Sequence, residues 1–214
     1  MPSGQMIAQA KSGVKIALDT PGGDYCFISH AHSDHSSAAK SKGAKIIASP
    51  ETAALLGYEG DLHAADGLEL RNAGHILGSC AALLDTSDGK LLYTGDMKTE
   101  DSITTKGADI VACDTLVIEG TFANPQVKFE PREEVYGQIA SWTEKSLKSG
   151  IVVLGGYALG KSQELIKVLN RKCGITPVVP QSVMNFCDVY NRFGAGLECV
   201  LSTSARGQEM MEGD

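Results

Sequence analysis

The apolar positions of this chain change their period partway along it. Up to about residue 120 they fall in short β-type runs at 14–18, 25–29, 45–48, 67–71, 81–85, 90–94 and 116–119, bounded by Gly, Asp, Asn, Ser and Pro. Between the fifth and sixth runs stands Thr86-Ser87-Asp88-Gly89, whose Asp-Gly predicts a hairpin, because both residues tolerate the positive φ such a turn needs. Helical spacing fits 36–42 and 50–56.

After Phe122 the pattern lengthens. Pro131 followed by Glu133 and Glu134 opens a helix, with acids placed where its dipole favours them. Val135, Ile139 and Trp142 give it an apolar stripe that reads as core rather than ligand site, and Gly150 ends it. A strand at 151–154, a helix at 161–172, a strand at 177–179 and a helix at 182–193 follow, an alternation that predicts parallel strands. The expected fold class is α/β, in two domains, 1–125 and 126–214.

Composition narrows the class further. Hydrophobic (43%) and charged (21%) fractions are those of a globular protein, and the net charge of −7 argues against a basic nucleic-acid module. It leaves a nuclease open, since bound cations are the strongest charges at a phosphate site. The six cysteines form no C-x-x-C pair and read as reduced core residues. Residues 1–13 hold no apolar leader segment, and no apolar run reaches membrane-spanning length. The expectation is a cytoplasmic protein with no membrane partner.

Four of the five histidines lie in two short motifs. His30-Ala31-His32-Ser33-Asp34-His35 follows the run Tyr25-Cys26-Phe27-Ile28-Ser29, and Gly74-His75-Ile76-Leu77-Gly78 comes later. Tyr93-Thr94-Gly95-Asp96 adds a carboxylate after another apolar run. Imidazole and carboxylate are the usual zinc ligands where thiolates are not used. On an extended segment the period of two turns His30 and His32 to one side, and Asp34 and His35, at the turn that follows, face a neighbouring point. His75 completes three imidazoles on one metal, and Asp96 can bridge to a second held by Asp34 and His35. His63 reads as a surface residue.

These residues resemble the metallo-β-lactamase superfamily, whose His-x-His-x-Asp-His signature matches His30, His32, Asp34 and His35. Asp19 resembles the family's earlier aspartate, which orients the ligands from behind; His75 and Asp96 match its later metal-binding motifs. Within the superfamily the chain is most similar to the β-CASP nucleases, which include the endonuclease subunit of the pre-mRNA 3′-end cleavage factor, Artemis-type enzymes and ligase-associated exonucleases. The likeness runs over roughly residues 15–193, through Ala73-Gly74-His75-Ile76-Leu77-Gly78-Ser79, Thr94-Gly95-Asp96-Met97-Lys98, Ile118-Glu119-Gly120-Thr121-Phe122 and Tyr157-Ala158-Leu159-Gly160-Lys161-Ser162-Gln163-Glu164-Leu165. Residues 121–142 look most like the ligase-associated branch, and Glu119 fits the acidic residue that opens the β-CASP region.

The resemblance implies an αββα sandwich in the first domain and a partial β-CASP α/β region at the C-terminus. It implies hydrolysis of RNA or DNA phosphodiesters by a zinc-bound hydroxide, with Asp34 and Asp96 acting in catalysis and Asp34 orienting the nucleophile. Departures from the family pattern temper this. Gly120 stands where these nucleases usually carry serine, and no histidine follows His75, so the general acid and the last ligand of the second metal have no counterpart. The expectation is two zinc sites of which the second is incomplete, unless a partner subunit or a second copy supplies a ligand. Loss of the general acid would remove about 10²–10⁴-fold in rate. The chain would be a fragment or a natural short member, weakly active alone.

Gly155-Gly156-Tyr157-Ala158-Leu159-Gly160-Lys161-Ser162 also satisfies the P-loop pattern between a predicted strand and a predicted helix. No later strand offers a magnesium-holding aspartate, so ATP binding ranks below a looser contact of Lys161 with nucleic-acid phosphate. Lys98, two residues past Asp96, is a second candidate for substrate, with an exposed salt bridge as the alternative. Other readings stay open: a small-ester or thioester hydrolase of the same fold, or a catalytically silent assembly module.

Overall fold

The side-chain period of two along the short apolar runs decides how the first half of the chain packs. In the computed structural model, which describes residues 5–212, strands β1 (Ile7–Gln9), β2 (Lys15–Leu18), β3 (Tyr25–Phe27) and β4 (Ile46–Ile47) form one sheet in that order. β1 is antiparallel to β2, whereas β2, β3 and β4 run parallel. A second sheet is built from β5 (Leu68–Asn72), β6 (Cys80–Thr86), β7 (Gly89–Tyr93) and β8 (Thr115–Val117). The Asp88-Gly89 turn joins β6 to β7 in register, with Thr86 opposite Gly89.

Alternate residues of these strands enter different cores. Ile16, Leu18, Phe27 and Ile47 from the first sheet share one apolar cluster with Ala82 and Leu84 from the second. On the opposite face of the first sheet Ala17, Cys26, Ile28 and Ile46 pack with Ala38 and, at their margin, Leu56. Ala81, Leu83 and Leu92, on the far face of the second sheet, are met by Met97, Val111 and Cys113 of a long loop. β6 is therefore apolar at consecutive positions because both its faces are covered. Helix α1 (Pro50–Leu56) starts where Ser49 caps the Thr52 amide at 3.0 Å, and the same hydroxyl donates to the Gly78 carbonyl at 2.7 Å. The loop that carries His75 is thereby tied to the start of a helix.

The chain divides into two compact units. One takes residues up to Asp101 together with Thr105–Thr121, the other Ser102–Thr104 and everything from Phe122 onward. The second unit contains α2 (Arg132–Leu147), α3 (Lys161–Val168), β9 (Val178–Val179), α4 (Gln181–Arg192), β10 (Val200–Leu201) and α5 (Ala205–Glu212). β9 and β10 pair in parallel, as the α/β alternation predicts. The whole is a mixed α/β protein with five α-helices among the described residues. None of those residues forms a helix long and apolar enough to cross a membrane.

Several sequence expectations need correction. The apolar run at 151–154 forms no strand, and Ile151 and Val153 are strongly exposed. β-Branched residues favour a strand only where a neighbour accepts its ladder hydrogen bonds, and here no ladder forms. The buried face of α2 carries Tyr136, Ala140 and Thr143, while Trp142 is exposed. Polar anchoring sets that rotation: the Tyr136 hydroxyl bonds Glu164, which also holds Arg132 at 2.9 Å. The helix expected at 161–172 changes at Leu169 into a wider π turn, Leu169–Cys173, and the one at 36–42 shrinks to a 3₁₀ turn, Ser37–Lys40. β1 and α5 carry too few apolar positions to be read from periodicity: one residue of each is buried, Ala8 and Gly207.

Candidate metal centre

The parallel strand β3 ends at Phe27, and the chain leaves the sheet through Ile28, Ser29 and His30, all buried. Carboxyl ends of parallel strands are where α/β folds gather ligands. The Ser29 carbonyl accepts from the Cys80 amide at the start of β6 (2.8 Å), fixing this exit against the second sheet. Beyond β7, Thr94 and Gly95 are buried and Asp96 emerges beside the histidines. Gly74 has a left-handed φ of 73°, and a Cβ there would stand 2.4 Å from the Lys98 carbonyl oxygen, so only glycine brings the His75 loop this close to the Asp96 loop.

Three imidazoles and one carboxylate converge. His30, His32, His75 and Asp96 each offer a ligand atom, and these atoms lie within 4.8 Å of one another. His32 Nδ1 is 3.0 Å from His30 Nε2 and 3.2 Å from His75 Nε2. Asp96 Oδ2 is 3.5 Å from His75 Nε2 and 3.8 Å from His30 Nε2. Ligands about 2.0–2.1 Å from a tetrahedral zinc stand roughly 3.3–3.4 Å apart, so these separations bracket what such an ion needs. Chemistry agrees with geometry. His32 Nδ1 has one lone pair or one proton to share between two neighbouring ring nitrogens, so three inward-facing nitrogens and a carboxylate compete for the same point. The donor set fits a divalent metal.

A second, more open set lies on the other side of Asp96. His35 Nε2 is 3.3 Å from Asp96 Oδ1 and 3.7 Å from Asp34 Oδ2, and the Asp34 side chain is 78% exposed. The sequence-predicted residues Asp34, His35 and Asp96 are thus together, with three ligand atoms against the four of the first set. Asp19 lies behind them: its carboxylate accepts from the Ser29 amide and the Ser29 hydroxyl, both at 2.6 Å, from His35 Nδ1 at 2.7 Å and from the Tyr93 hydroxyl at 2.8 Å. Glu119 holds the Met97 amide at 3.0 Å, one residue past Asp96.

The remaining candidates are not part of this ligand set. Lys98 Nζ reaches Thr105 Oγ1 at 3.2 Å, where the sequence left an exposed salt bridge open. Lys161 belongs to the second unit and lies over the Tyr157 ring, 5.5 Å from its centroid. The P-loop context fails, since no strand precedes the motif, the Gly160 amide is taken by Gln163 Oε1 (2.7 Å), and the Ser162 hydroxyl donates to the Tyr157 carbonyl. His63 is exposed, edge-on to Tyr25. Ser29 and Tyr93 were missed from sequence; the only available signal was a hydroxyl placed just before the first histidine and at the end of a strand.

Burial, with His35, His75 and His32 adding to it, pushes His30 down to about 2, and burial pushes His75 down to about 4. His35 moves the other way, its hydrogen bond to Asp19 holding it above the ordinary value. Burial raises the Asp96 carboxyl, with the His35 charge opposing. Burial also raises Glu119, but hydrogen bonds from Thr121 and the Met97 amide outweigh it and leave the group below the usual range.

The sign of the pH dependence follows. His30 and His75 titrate near 6.5 when unfolded and at about 2 and about 4 when folded, so below pH 6.5 the unfolded chain binds more protons. The metal-free protein loses stability as pH falls from 6.5 toward 4, by up to about 1.4 kcal/mol per pH unit for each group. The stabilisation from His35, whose folded value is raised, is already complete below 6.5 and is lost only as pH rises through that raised value, so it leaves the acid slope unchanged. Urea midpoints of chelator-treated protein should fall steadily between pH 6.5 and pH 5; a flat profile would contradict this assignment.

No family model matches the chain. Over 185 residues it is 34% identical to a probable DNA ligase of Opitutus terrae, covering 78% of this chain and 18% of that protein. Over 188 residues it is 30% identical to an RNase J-like protein of Methanocaldococcus jannaschii, covering 72% of this chain and 45% of the relative. Over 102 residues it is 34% identical to cleavage and polyadenylation specificity factor subunit 3 of Dictyostelium discoideum, covering 46% and 13%. The chain therefore spans less than half the length of each of these relatives. Among solved structures, a protein of unknown function from Enterococcus faecalis V583 shares the fold with a TM-score of 0.55 at 16% identity, over 83% of this chain and 50% of that one.

Proposed function

We infer the function from the family: the chain belongs to the metallo-β-lactamase superfamily, in its β-CASP nuclease branch, and we propose that it is a metal-dependent phosphodiesterase acting on RNA or DNA. The observation that carries this reading is the convergence of His30, His32, His75 and Asp96 on one point. The first unit is read as the superfamily's sandwich, and the second, from about residue 126, as part of a β-CASP region. Zinc is the proposed ion, held by His30, His32 and His75 with Asp96, and the set of Asp34, His35 and Asp96 is the weaker second site. When bound, such an ion supplies a water of lowered pKa and neutralises charge on the phosphate.

The chain's own groups supply the rest. Asp34, exposed beside His35, is placed to orient the attacking water and take its proton on a carboxylate oxygen. Asp19 and Glu119 hold the ligand loops from behind. Lys98 offers positive charge near His75, and Lys161 offers it on the second unit. No histidine follows position 75 in this sequence, so the proton for the leaving oxygen is proposed to come from another group. A partner subunit or second copy would supply that group and the last ligand. A cytoplasmic setting suits a protein with six free thiols.

Freshly purified protein should carry about one zinc per chain by elemental mass spectrometry, the number its complete ligand set supports. It should cleave labelled single-stranded RNA or DNA in a manner abolished by chelation and restored by zinc. Zinc-loaded protein that hydrolyses small thioesters or esters and no oligonucleotide would replace the nuclease reading. Protein that takes up no metal would point to a silent assembly role.

A further inference from the structure

The hydroxyl of Ser29 lies between two groups that make opposite demands on it. Its Oγ is 2.6 Å from Asp19 Oδ2 and 3.0 Å from His30 Nδ1, and the serine is almost fully buried. A hydroxyl has one proton to give. The bond to the carboxylate is shorter and charge-assisted, so it takes that proton. The oxygen then has only lone pairs for His30, and His30 must carry its own proton on Nδ1 to complete the contact. An imidazole protonated at Nδ1 is bare at Nε2, the atom that faces His32 Nδ1 and Asp96 Oδ2.

We propose that Ser29 is a positioning residue that relays the Asp19 carboxylate to His30 and thereby fixes the tautomer in which His30 Nε2 is free to bind a metal ion. The proposal rests on the metal-site reading above. Asp19 acts on His35 directly, through Nδ1, and on His30 only by way of this hydroxyl. One carboxylate therefore sets the ring orientation of a ligand in each of the two sets.

Two further observations keep the relay in place. Asp19 Oδ1 takes the Ser29 amide while Oδ2 takes three side-chain donors, so the carboxylate is satisfied as an anion and has no call for a proton of its own. Ser29 also packs against Gly95, where a Cβ would stand 2.5 Å from both Ser29 Cβ and Oγ. The serine rotamer is thus bounded by the backbone of the loop that delivers Asp96.

Imidazole tautomers and zinc affinity test this on the full chain. In metal-free protein, two-bond ¹⁵N–¹H correlation spectra should show His30 as the Nδ1–H tautomer, and Ser29→Ala should shift it toward Nε2–H or a mixture. Competition with a chromophoric chelator should show zinc bound about 10–100-fold more weakly by Ser29→Ala, the usual effect of losing a group behind a ligand, with Ser29→Thr recovering most of the loss. Circular dichroism on each variant separates this from misfolding, which leaves no assignable His30 signal to compare. Ser29→Ala with parent-like affinity and an unchanged His30 tautomer overturns the relay while leaving the metal site standing. A parent protein that binds no zinc removes the metal-site reading, and the proposal with it.

Discussion

Replacing His75 by alanine should strip the first site of its metal and lower phosphodiester hydrolysis by at least about 10³-fold, since Lewis-acid stabilisation of several kcal/mol is lost and each 1.36 kcal/mol is a factor of ten. His75 is the ligand that comes from neither the 30–35 loop nor the Asp96 turn. Its Nε2 is 3.2 Å from His32 Nδ1 and 3.5 Å from Asp96 Oδ2, and its ring stands edge-on to both His30 and His32. Without it two imidazoles and a carboxylate remain, and that carboxylate is the one shared with the second set, so the ion is held by one fewer protein ligand beside its water. The side chain is 28% exposed and lies outside the apolar clusters, so thermal unfolding of the metal-free variant should match the parent. His63→Ala, which removes an exposed imidazole away from the cluster, is the control. Zinc stoichiometry and oligonucleotide cleavage unchanged in His75→Ala would refute the assignment.

Gly95→Ala should be the most damaging change that removes no ligand. Gly95 is buried with φ +54°, and an added Cβ would meet Ser29 Cβ and Oγ at 2.5 Å. The left-handed backbone costs a non-glycine residue about 1–3 kcal/mol, and forcing a methyl into a packed site adds about 1–3 kcal/mol. Together they approach the lower end of a domain's whole stability, about 5 kcal/mol. The methyl also pushes on the hydroxyl that contacts His30, so affinity for zinc falls along with the urea midpoint. An alanine variant with parent-like midpoint and zinc affinity would show that the two loops can separate freely.

The sequence and the structure agree best where one covalent neighbourhood carries the information. The continuous apolar run in β6 announces a strand covered on both faces, and the His-x-His-x-Asp-His segment names most of the candidate ligands because six consecutive residues hold them. Ser49-Pro50 marks the start of α1 for the same local reason. What stayed hidden depends on partners far along the chain. Nothing near Tyr93 says that its hydroxyl ends on Asp19, and nothing near Ser29 says that Gly95 leaves room for it. The run at 151–154 has the propensity of a strand without a ladder to join, and α2 buries the face that carries Tyr136, anchored by hydrogen bonds, instead of its most apolar stripe.

The hydrogen bond from Tyr93 to Asp19 closes 74 residues of chain, and the approach of His75 to His32 closes 43. Contacts of such separation form late, because loop entropy must be met before they contribute. A zinc finger gathers its ligands from one short segment and folds around the ion. Here the two sheets must find each other first, and only then do Ser29, His75 and Asp96 come within reach. An ion bound at this site would therefore act as a ligand of the finished fold rather than as its nucleus. It would raise the midpoint by mass action, while the folding rate of the metal-free chain would set how quickly the site comes into being.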